Sequence, residues 1–150
     1  MYFSSKTYGH ERGLSCAFRQ PTATSHCNMI HGYALSFQFT FGCGALDENN
    51  WVVDFGGLKE LKEWLEFSFD HTLAVAESDP HIDKFRELDA LGLVSIRVMD
   101  GVGCEKFAEH AFKAAQHIIN KKYGSRCWVQ SVECKEHGAN GAIYANNEGR

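Results

Sequence analysis

The chain has 150 residues, of which 44% are apolar and 13% aromatic, and 15 basic against 19 acidic side chains give a formal net charge of −4. This length and apolar content predict one domain, spanning residues 1–150, with its own hydrophobic core. The negative net charge argues against a nucleic-acid-binding protein. No apolar run approaches the roughly 18 residues of a membrane span, and the first residues lack the features of a secretory signal. We therefore expect a soluble, cytoplasmic domain.

Six cysteines occur without any Cys-x-x-Cys pair, which argues against a zinc ribbon or a thioredoxin-type redox centre. The chain is also large and apolar enough to fold without disulfides. We expect reduced thiols, most of them buried as small apolar residues and one or two of them reactive. The six are Cys16, Cys27, Cys43, Cys104, Cys127 and Cys134.

The first third of the chain is predicted to form strands. Residues 1–19 have the pattern of an interrupted strand or a hairpin, and residues 20–30 that of a loop. From residue 33 to residue 41 apolar and polar side chains alternate with the period of 2 that places one face of a strand on a core. Residues 51–54 are expected to return as its antiparallel partner, which predicts a hairpin.

The rest of the chain alternates helices and strands. The predicted elements are a helix from about Gly57 that ends before Phe69, an irregular polar region over 73–92 with a short helix near 82–88, a strand over 93–98, a helix from near Cys104 that ends just before Gly124, and strands over 128–136 and 142–144. This order predicts an α+β fold, with an antiparallel sheet of four strands and two helices on one face. Because so small a sheet leaves open edges, we expect an oligomer in which subunits pair their edge strands.

Two segments combine groups suited to proton transfer. Cys27 precedes His31 by four residues where a loop enters a strand, and a loop thiol near imidazoles can form a usable thiolate. Alternatively, Cys27 is an inert buried thiol and His31 a strand residue. Asp70 directly precedes His71 after a helix, so the carboxylate can orient the imidazole as a general base. The alternative is a pair that only stabilises the helix end.

Two carboxylates are candidates for ligand binding. Glu136 ends a strand before a glycine-containing turn, where it can accept two parallel N–H bonds from a planar heterocycle. It is otherwise a solvated residue at a strand end. Glu105 lies in the first turn of a helix, where its charge favours the helix dipole, so its role is structural unless the site recruits it.

Taken together, these segments resemble the 6-pyruvoyl-tetrahydropterin synthase and 6-carboxytetrahydropterin synthase family over nearly the whole chain. The family pattern begins with a Cys, three residues and His-Gly-His, then hydrophobic-Asp-Phe before a helix and Leu-Asp-His. A Pro-Thr-x-Glu-Asn motif then opens the second long helix, and this chain keeps only its Glu. The pattern ends with a Glu at the end of the last long strand and a hydrophobic-Tyr closure. The matching segments are Cys27 to Tyr33, Val53-Asp54-Phe55, Phe69-Asp70-His71, Cys104-Glu105, Glu136 and Ile143-Tyr144. Their shared order and comparable separations make the resemblance specific.

The resemblance implies the tunnelling fold, in which trimers form a barrel and stack into a hexamer, and the substrate 7,8-dihydroneopterin triphosphate. It implies that Cys27 is the catalytic thiol, that Asp70 and His71 are its proton-transfer partners, and that Glu136, assisted by Glu105, anchors the pterin ring. The implied activity is that of a 6-carboxytetrahydropterin synthase, a lyase of the route to queuosine and related deazapurines.

The resemblance also implies a zinc ion held by three histidines, and here the chain departs from the pattern. His31 matches one ligand, whereas Tyr33 and Phe18 stand at the other two positions. Cys16, on the same strand as Phe18, is the nearest thiolate candidate, and His26 or His10 can approach from loops. The open alternatives are therefore zinc held by His31, Tyr33 and Cys16, another metal, or no metal.

Three further functions stay open at this point. They are a 6-pyruvoyl-tetrahydropterin synthase activity, a metal-independent aldolase or epimerase step on dephosphorylated dihydroneopterin, and non-catalytic pterin binding. The second alternative is favoured by the replacement of histidine at positions 18 and 33.

Overall fold

The computed structural model describes residues 1–147, so the last three residues of the predicted domain lie outside the described part. The strands are β1 (Tyr2–Tyr8), β2 (Leu14–Phe18), β3 (His31–Cys43), β4 (Thr72–Ala76), β5 (Ile96–Met99), β6 (Cys127–His137) and β7 (Asn140–Ala145). The α-helices are α1 (Lys59–Phe69), α2 (Ile82–Ala90) and α3 (Cys104–Tyr123). No helix among these residues is long and apolar enough to cross a membrane.

The long strand β3 is the centre of the sheet. Along one edge it pairs antiparallel first with β2 and then with β1, which together form the interrupted strand predicted at the N-terminus. Along its other edge it pairs antiparallel with β6, which in turn pairs with β7. Strands β4 and β5 extend the sheet beyond β2 in parallel orientation.

Helices cover both faces of the sheet, but unequally. The main core lies between the sheet and helices α1 and α3, where Leu61, Leu65 and Phe107 pack with the phenylalanines of β3. Helix α2 packs through Phe85 against Leu73 and the alternate side chains of β4, which face away from the main core. The prediction of an α+β fold with two long helices on one face is therefore confirmed, and α2 is an additional helix on the opposite face.

The predicted hairpin is wrong. Residues 51–54 form no strand, and both edges of β3 are occupied by other strands. Val52 and Val53 are instead buried in the main core. The guanidinium of Arg126 donates hydrogen bonds to the carbonyls of Trp51 and Val52, at 3.4 and 2.9 Å. These apolar residues thus fill the core without joining the sheet, because side-chain donors satisfy their backbone.

The expectation of an irregular region over 73–92 is also wrong in part. Its first residues belong to β4, which is buried along its whole length between β2 and β5. A strand buried on both faces has no polar alternation to reveal it. Among the described residues the sheet therefore has seven strands, not the predicted four. It is also not wholly antiparallel, because β2 pairs with β4 and β4 with β5 in parallel orientation. The predicted short helix is confirmed as α2, and the strand predicted over 93–98 is shorter and shifted to β5.

Candidate active site

Three aromatic rings converge where β2 pairs with the first part of β3. The register places Phe18 opposite His31 and Cys16 opposite Tyr33, with all four side chains on the face that carries α3. The ring centroid of Phe18 lies 4.9 Å from that of His31 and 6.2 Å from that of Tyr33, and those of His31 and Tyr33 are 5.5 Å apart. The Phe18 ring also packs edge-on against Phe107 of α3, with 5.2 Å between the two ring centroids.

Two of the predicted catalytic and binding residues border this ring cluster. The Glu136 carboxylate and the thiols of Cys27 and Cys104 lie near enough to the Tyr33 hydroxyl to influence it electrostatically. Burial, followed by the negative charge of Glu136, raises the pKa of the Tyr33 phenol above its ordinary value. The phenol therefore stays protonated at neutral pH. The structure thus brings Cys27, His31, Tyr33 and Glu136 into one site.

The loop that carries Cys27 is held by a network centred on Arg19. Its guanidinium donates to the backbone carbonyl and to the side-chain oxygen of Asn28, both at 3.0 Å. It also donates to both carboxylate oxygens of Asp79, at 2.9 and 3.1 Å. The Cys27 carbonyl accepts from the backbone N–H of Gln20 at 2.9 Å. Cys27 is therefore fixed on both sides by residues that follow directly after β2.

Asp79 is the buried end of this network. Its side chain is only 1% exposed, and the hydrogen bonds from Arg19 hold the pKa of its carboxyl below the ordinary value. Sequence reasoning missed both residues, because they are 60 positions apart and no spacing rule connects them. The available signal was an aspartate between Ser78 and Pro80, three residues after the apolar run that ends at Ala76.

Glu105 lies in the first turn of α3, close to the same end of β2. The side-chain amide of Gln20 donates to the Val102 carbonyl at 2.7 Å. A Cβ atom at Gly103 would lie 2.6 Å from that amide nitrogen and 3.7 Å from a Glu105 carboxylate oxygen. Glu105 is therefore a neighbour of the segment that holds Cys27, although it has no hydrogen bond to Glu136 among the described contacts.

Asp70 and His71 form the predicted pair, with 2.7 Å between the carboxylate and the imidazole Nδ1. The His71 side chain is 86% exposed and its backbone is left-handed, with φ at 56°. Such a φ is strained for a residue with a Cβ, and this kind of strain is concentrated at functional sites.

This pair lies at the other end of β2 from Cys27. His71 precedes Thr72, which pairs with Cys16, whereas Cys27 is bonded to Gln20. The four residue steps from Cys16 to Gln20 span roughly 13 Å of extended chain. The structure of one chain therefore does not bring Asp70 and His71 together with Cys27.

The residues at the ring cluster do not fit a zinc ion. Among residues 1–147, no three His, Cys, Asp or Glu side chains are grouped so that they could hold a metal. Phe18 has no donor atom, and the raised pKa of the Tyr33 phenol disfavours the phenolate that a metal would need. Cys16, the third expected ligand, is 1% exposed, and burial raises the pKa of its thiol. A structural or catalytic zinc site needs at least three protein ligands, and here only His31 is a good one.

The two loop histidines do not complete such a site either. The Nδ1 atom of His10 lies 2.6 Å from the carbonyl of Ala34, on the part of β3 beyond Tyr33. His26 lies in the short turn before Cys27 and belongs to no metal-binding group of the described residues.

Comparison with known proteins places this arrangement in a family. A sequence model described as 6-pyruvoyl tetrahydropterin synthase matches residues 9–147. The chain belongs to the 6-pyruvoyl tetrahydropterin synthase family. The resemblance inferred from the motifs is thereby confirmed.

Individual proteins resemble this chain either in sequence or in fold. The 6-carboxy-5,6,7,8-tetrahydropterin synthase of Rickettsia typhi is 34% identical over 59 residues, which are 39% of this chain and 43% of that protein. The match thus spans less than half of this relative. An uncharacterized protein of Wolinella succinogenes has a TM-score of 0.80 at 18% identity, covering 97% of this chain and 98% of that one.

A 6-pyruvoyltetrahydropterin synthase structure from Plasmodium vivax, a variant in a catalytic residue, has a TM-score of 0.64 at 15% identity, with 98% and 99% of the two chains covered. At these identities the two solved structures show the shared fold, which is the tunnelling fold predicted for this chain.

The first prediction concerns the buried ion pair of this family member. We expect Asp79→Asn to lower the free energy of unfolding at pH 7 by about 2 kcal/mol, because it leaves the Arg19 charge without its partner. Since the folded-state pKa of Asp79 is depressed, its contribution is present at neutral pH and is lost as pH falls below about 4. Urea unfolding at pH 7 and pH 3 measures this difference, with the exposed Glu77→Gln as control. A difference that stays constant over this range would contradict the assignment.

The second prediction concerns the strain at His71. Since glycine adopts a positive φ without steric cost, we expect His71→Gly to be more stable than His71→Ala by about 1 kcal/mol. This is the reverse of the usual order, in which glycine destabilises through the entropy of the unfolded chain. Urea unfolding of the two variants provides the measurement. Equal stability, or a more stable alanine variant, would show that the turn carries no strain.

Proposed function

We propose that this protein is a lyase of the 6-carboxytetrahydropterin synthase type that acts on 7,8-dihydroneopterin triphosphate. The observation that carries the proposal is the convergence of a loop thiol, Cys27, and a strand-end carboxylate, Glu136, on Tyr33. Family membership and the partial match to a 6-carboxy-5,6,7,8-tetrahydropterin synthase support the same class of substrate. The product of this type of enzyme is a precursor of queuosine and related deazapurines, and the proposed location is the cytoplasm.

In this proposal Glu136 binds the pterin ring. A pterin presents an amino group and a ring N–H side by side, and an ionised carboxylate can accept both bonds in parallel. A carboxylate has about four lone-pair positions, which is enough to accept both bonds. Glu105, at the first turn of α3, assists by adding negative charge near the same donors.

Cys27 acts as the base on the substrate side chain. With Arg19 holding Asn28 from one side and Gln20 holding the Cys27 carbonyl from the other, the thiol is presented from an anchored loop. A positioned thiolate can remove a proton from a side-chain carbon next to the ring. The electron pair left on that carbon is delocalised into the adjacent ring imine.

Asp70 and His71 handle the proton on the opposite face of the substrate, with Asp70 orienting the imidazole. Because the pair is roughly 13 Å from the Cys27 end of β2 within one chain, we propose that it comes from a second copy. This requires a closed assembly, for which the resemblance implies a trimer or a hexamer made of two stacked trimers. The 86% exposure of His71 leaves it free to enter a neighbouring site.

A second candidate is favoured by Phe18 and Tyr33. Since these residues remove two imidazoles from the expected zinc site, a metal-independent aldolase-like or epimerase-like step on dephosphorylated dihydroneopterin is the alternative. It uses the same ring anchor, Glu136, and differs in requiring no triphosphate leaving group.

The third prediction tests the proposed activity. We expect purified protein to consume 7,8-dihydroneopterin triphosphate with release of triphosphate, and Cys27→Ala to lower kcat by at least about a hundredfold through loss of the base. Chromatography of the pterin products and phosphate analysis measure this. Cys43→Ala, a thiol on β3 outside the site, is the matched control. Turnover of dihydroneopterin but not of its triphosphate would favour the second candidate, and turnover of neither would refute both.

The fourth prediction tests the shared site. We expect Cys27→Ala and His71→Ala each to be inactive, and their mixture, after reversible dissociation and reassembly, to recover about a quarter of wild-type activity, because random pairing gives that share of sites with both groups intact. The mixture is assayed beside each variant reassembled alone. A mixture as inactive as its parts, with exchange of subunits shown by native mass spectrometry, would place both groups in one chain.

A further inference from the structure

A cationic pocket of about 240 Å³ lies between β1 and the start of α1. The residues that line it are Lys6, Tyr8, Arg12, Phe55, Gly56, Leu58, Lys59 and Lys62. Four of these eight are cationic and none is acidic, although the chain as a whole has a formal net charge of −4. Lys6 pairs with Phe39, six residues beyond Tyr33 on β3, so roughly 20 Å of strand separates the pocket from the ring cluster.

Two of the cations are held against one buried ring. The Nζ atom of Lys6 lies 5.6 Å and the Cζ atom of Arg12 lies 5.4 Å from the ring centroid of Tyr8, which is only 3% exposed. An aromatic face attracts cations at such distances, so Tyr8 fixes both side chains beside the pocket. Neither Lys6 nor Arg12 forms a salt bridge with a carboxylate of residues 1–147. Both charges are therefore available to an anion.

The other two cations belong to the first turns of α1, where a positive charge is unfavourable. The helix dipole places partial positive charge at this end, and no side chain caps it. Lys59 and Lys62 form only exposed pairs with acidic residues one turn later, at 3.7 and 3.8 Å, and such pairs contribute little. Glu60, the acidic residue of the first turn, is paired with Lys121 instead. A bound anion removes this conflict, because the helix end and the lysines then attract it together.

We infer that this pocket binds a triphosphate chain carried by an aromatic heterocycle. One guanidinium and three ammonium groups match the several negative charges of such a chain, whereas a single carboxylate would leave most of them without a partner. The pocket continues at both ends. Through Tyr8, Arg12 and Lys62 it adjoins a small pocket that reaches Asp70. Through Phe55 it adjoins a cavity of about 520 Å³ that is lined by apolar residues, including the exposed ring of Trp51.

The two ends correspond to two sources of the triphosphate. At the Asp70 end it is the triphosphate of the substrate, and this source rests on the proposed function, in which Asp70 and His71 enter the site of another copy. At the other end it belongs to a separate nucleoside triphosphate, whose base stacks on Trp51. The anion pocket itself depends on neither Cys27 nor Glu136.

Calorimetric titration with inorganic triphosphate tests the pocket. Wild-type protein is expected to bind it with an affinity that falls as the salt concentration rises. Arg12→Gln and Lys62→Gln are each expected to weaken binding by at least about tenfold, because each removes a charge-assisted hydrogen bond. Arg86→Gln, which removes the same charge from an exposed position on α2, is the matched control. No binding to wild type, equal affinity in Arg12→Gln, or an equal loss in Arg86→Gln would overturn the inference.

Two further measurements distinguish the sources. If the chain belongs to the substrate, Arg12→Gln raises the KM for 7,8-dihydroneopterin triphosphate about tenfold with little change in kcat, and inorganic triphosphate inhibits competitively. If it belongs to a separate nucleotide, ATP binds more tightly than inorganic triphosphate, Trp51→Ala removes that difference, and Arg12→Gln leaves KM unchanged. Triphosphate binding with neither effect would overturn the part of the heterocycle.

The outcomes also separate this inference from the proposed function. Wild-type protein that binds triphosphate in an Arg12-dependent way but turns over no pterin would refute the proposed function and leave the pocket intact. Turnover of the pterin triphosphate by protein that binds no inorganic triphosphate would do the reverse.

Discussion

The pairing of β2 with the first part of β3 is the constraint on which the site depends. Its register sets Phe18 opposite His31 and Cys16 opposite Tyr33, and a slip of one residue would turn these side chains to the other face of the sheet. Gly32 permits the close approach, because a Cβ there would lie 2.9 Å from the Cys16 carbonyl oxygen. The chain that leaves β2 then carries Gln20, which fixes Cys27. One strand pair therefore positions the rings and the thiol together.

The same pairing explains why the fold and the chemistry of this family can change separately. Phe18 contributes to the core through its contact with Phe107, so a phenylalanine serves the packing at this position without any metal. Relative to the histidine of the family pattern, Phe18 lacks only the imidazole nitrogens, which would serve the site and not the core. A chain can thus keep the fold over nearly its whole length while the polar groups of its pocket change. Tyr33 with Glu136 is the polar pair that this chain has in that place.

Periodicity predicted the parts of the fold that have one buried face. The alternation along β3 and the apolar stripe of α3 were both recovered, because each leaves its other face polar. Periodicity failed for segments that do not have one buried and one exposed face. Strand β4 is buried throughout, and residues 51–54 are apolar because Val52 and Val53 fill the core beside Arg126, not because they pair with β3.

The candidate site also contains residues that the sequence could predict and residues that it could not. Motif order identified Cys27, His31, Tyr33 and Glu136, which the structure brings together. It could not identify the pair of Arg19 and Asp79, because an ion pair between residues distant in sequence arises only from the tertiary fold.

The position of Asp70 and His71 follows from where β2 begins and ends. The pair precedes β4, and the parallel alignment of β4 with β2 carries it toward the N-terminal end of β2, away from the loop that follows its C-terminal end. Within one chain His71 contacts only Asp70 among the hydrogen bonds described, and its turn is strained. Strain of this kind persists where the surrounding structure imposes it, and an exposed histidine brings no packing that would compensate. The proposed assembly gives a physical reason for the arrangement if symmetric association sets one end of β2 in one copy against the other end in its neighbour. In that proposal the divided site would be complete only in the assembly.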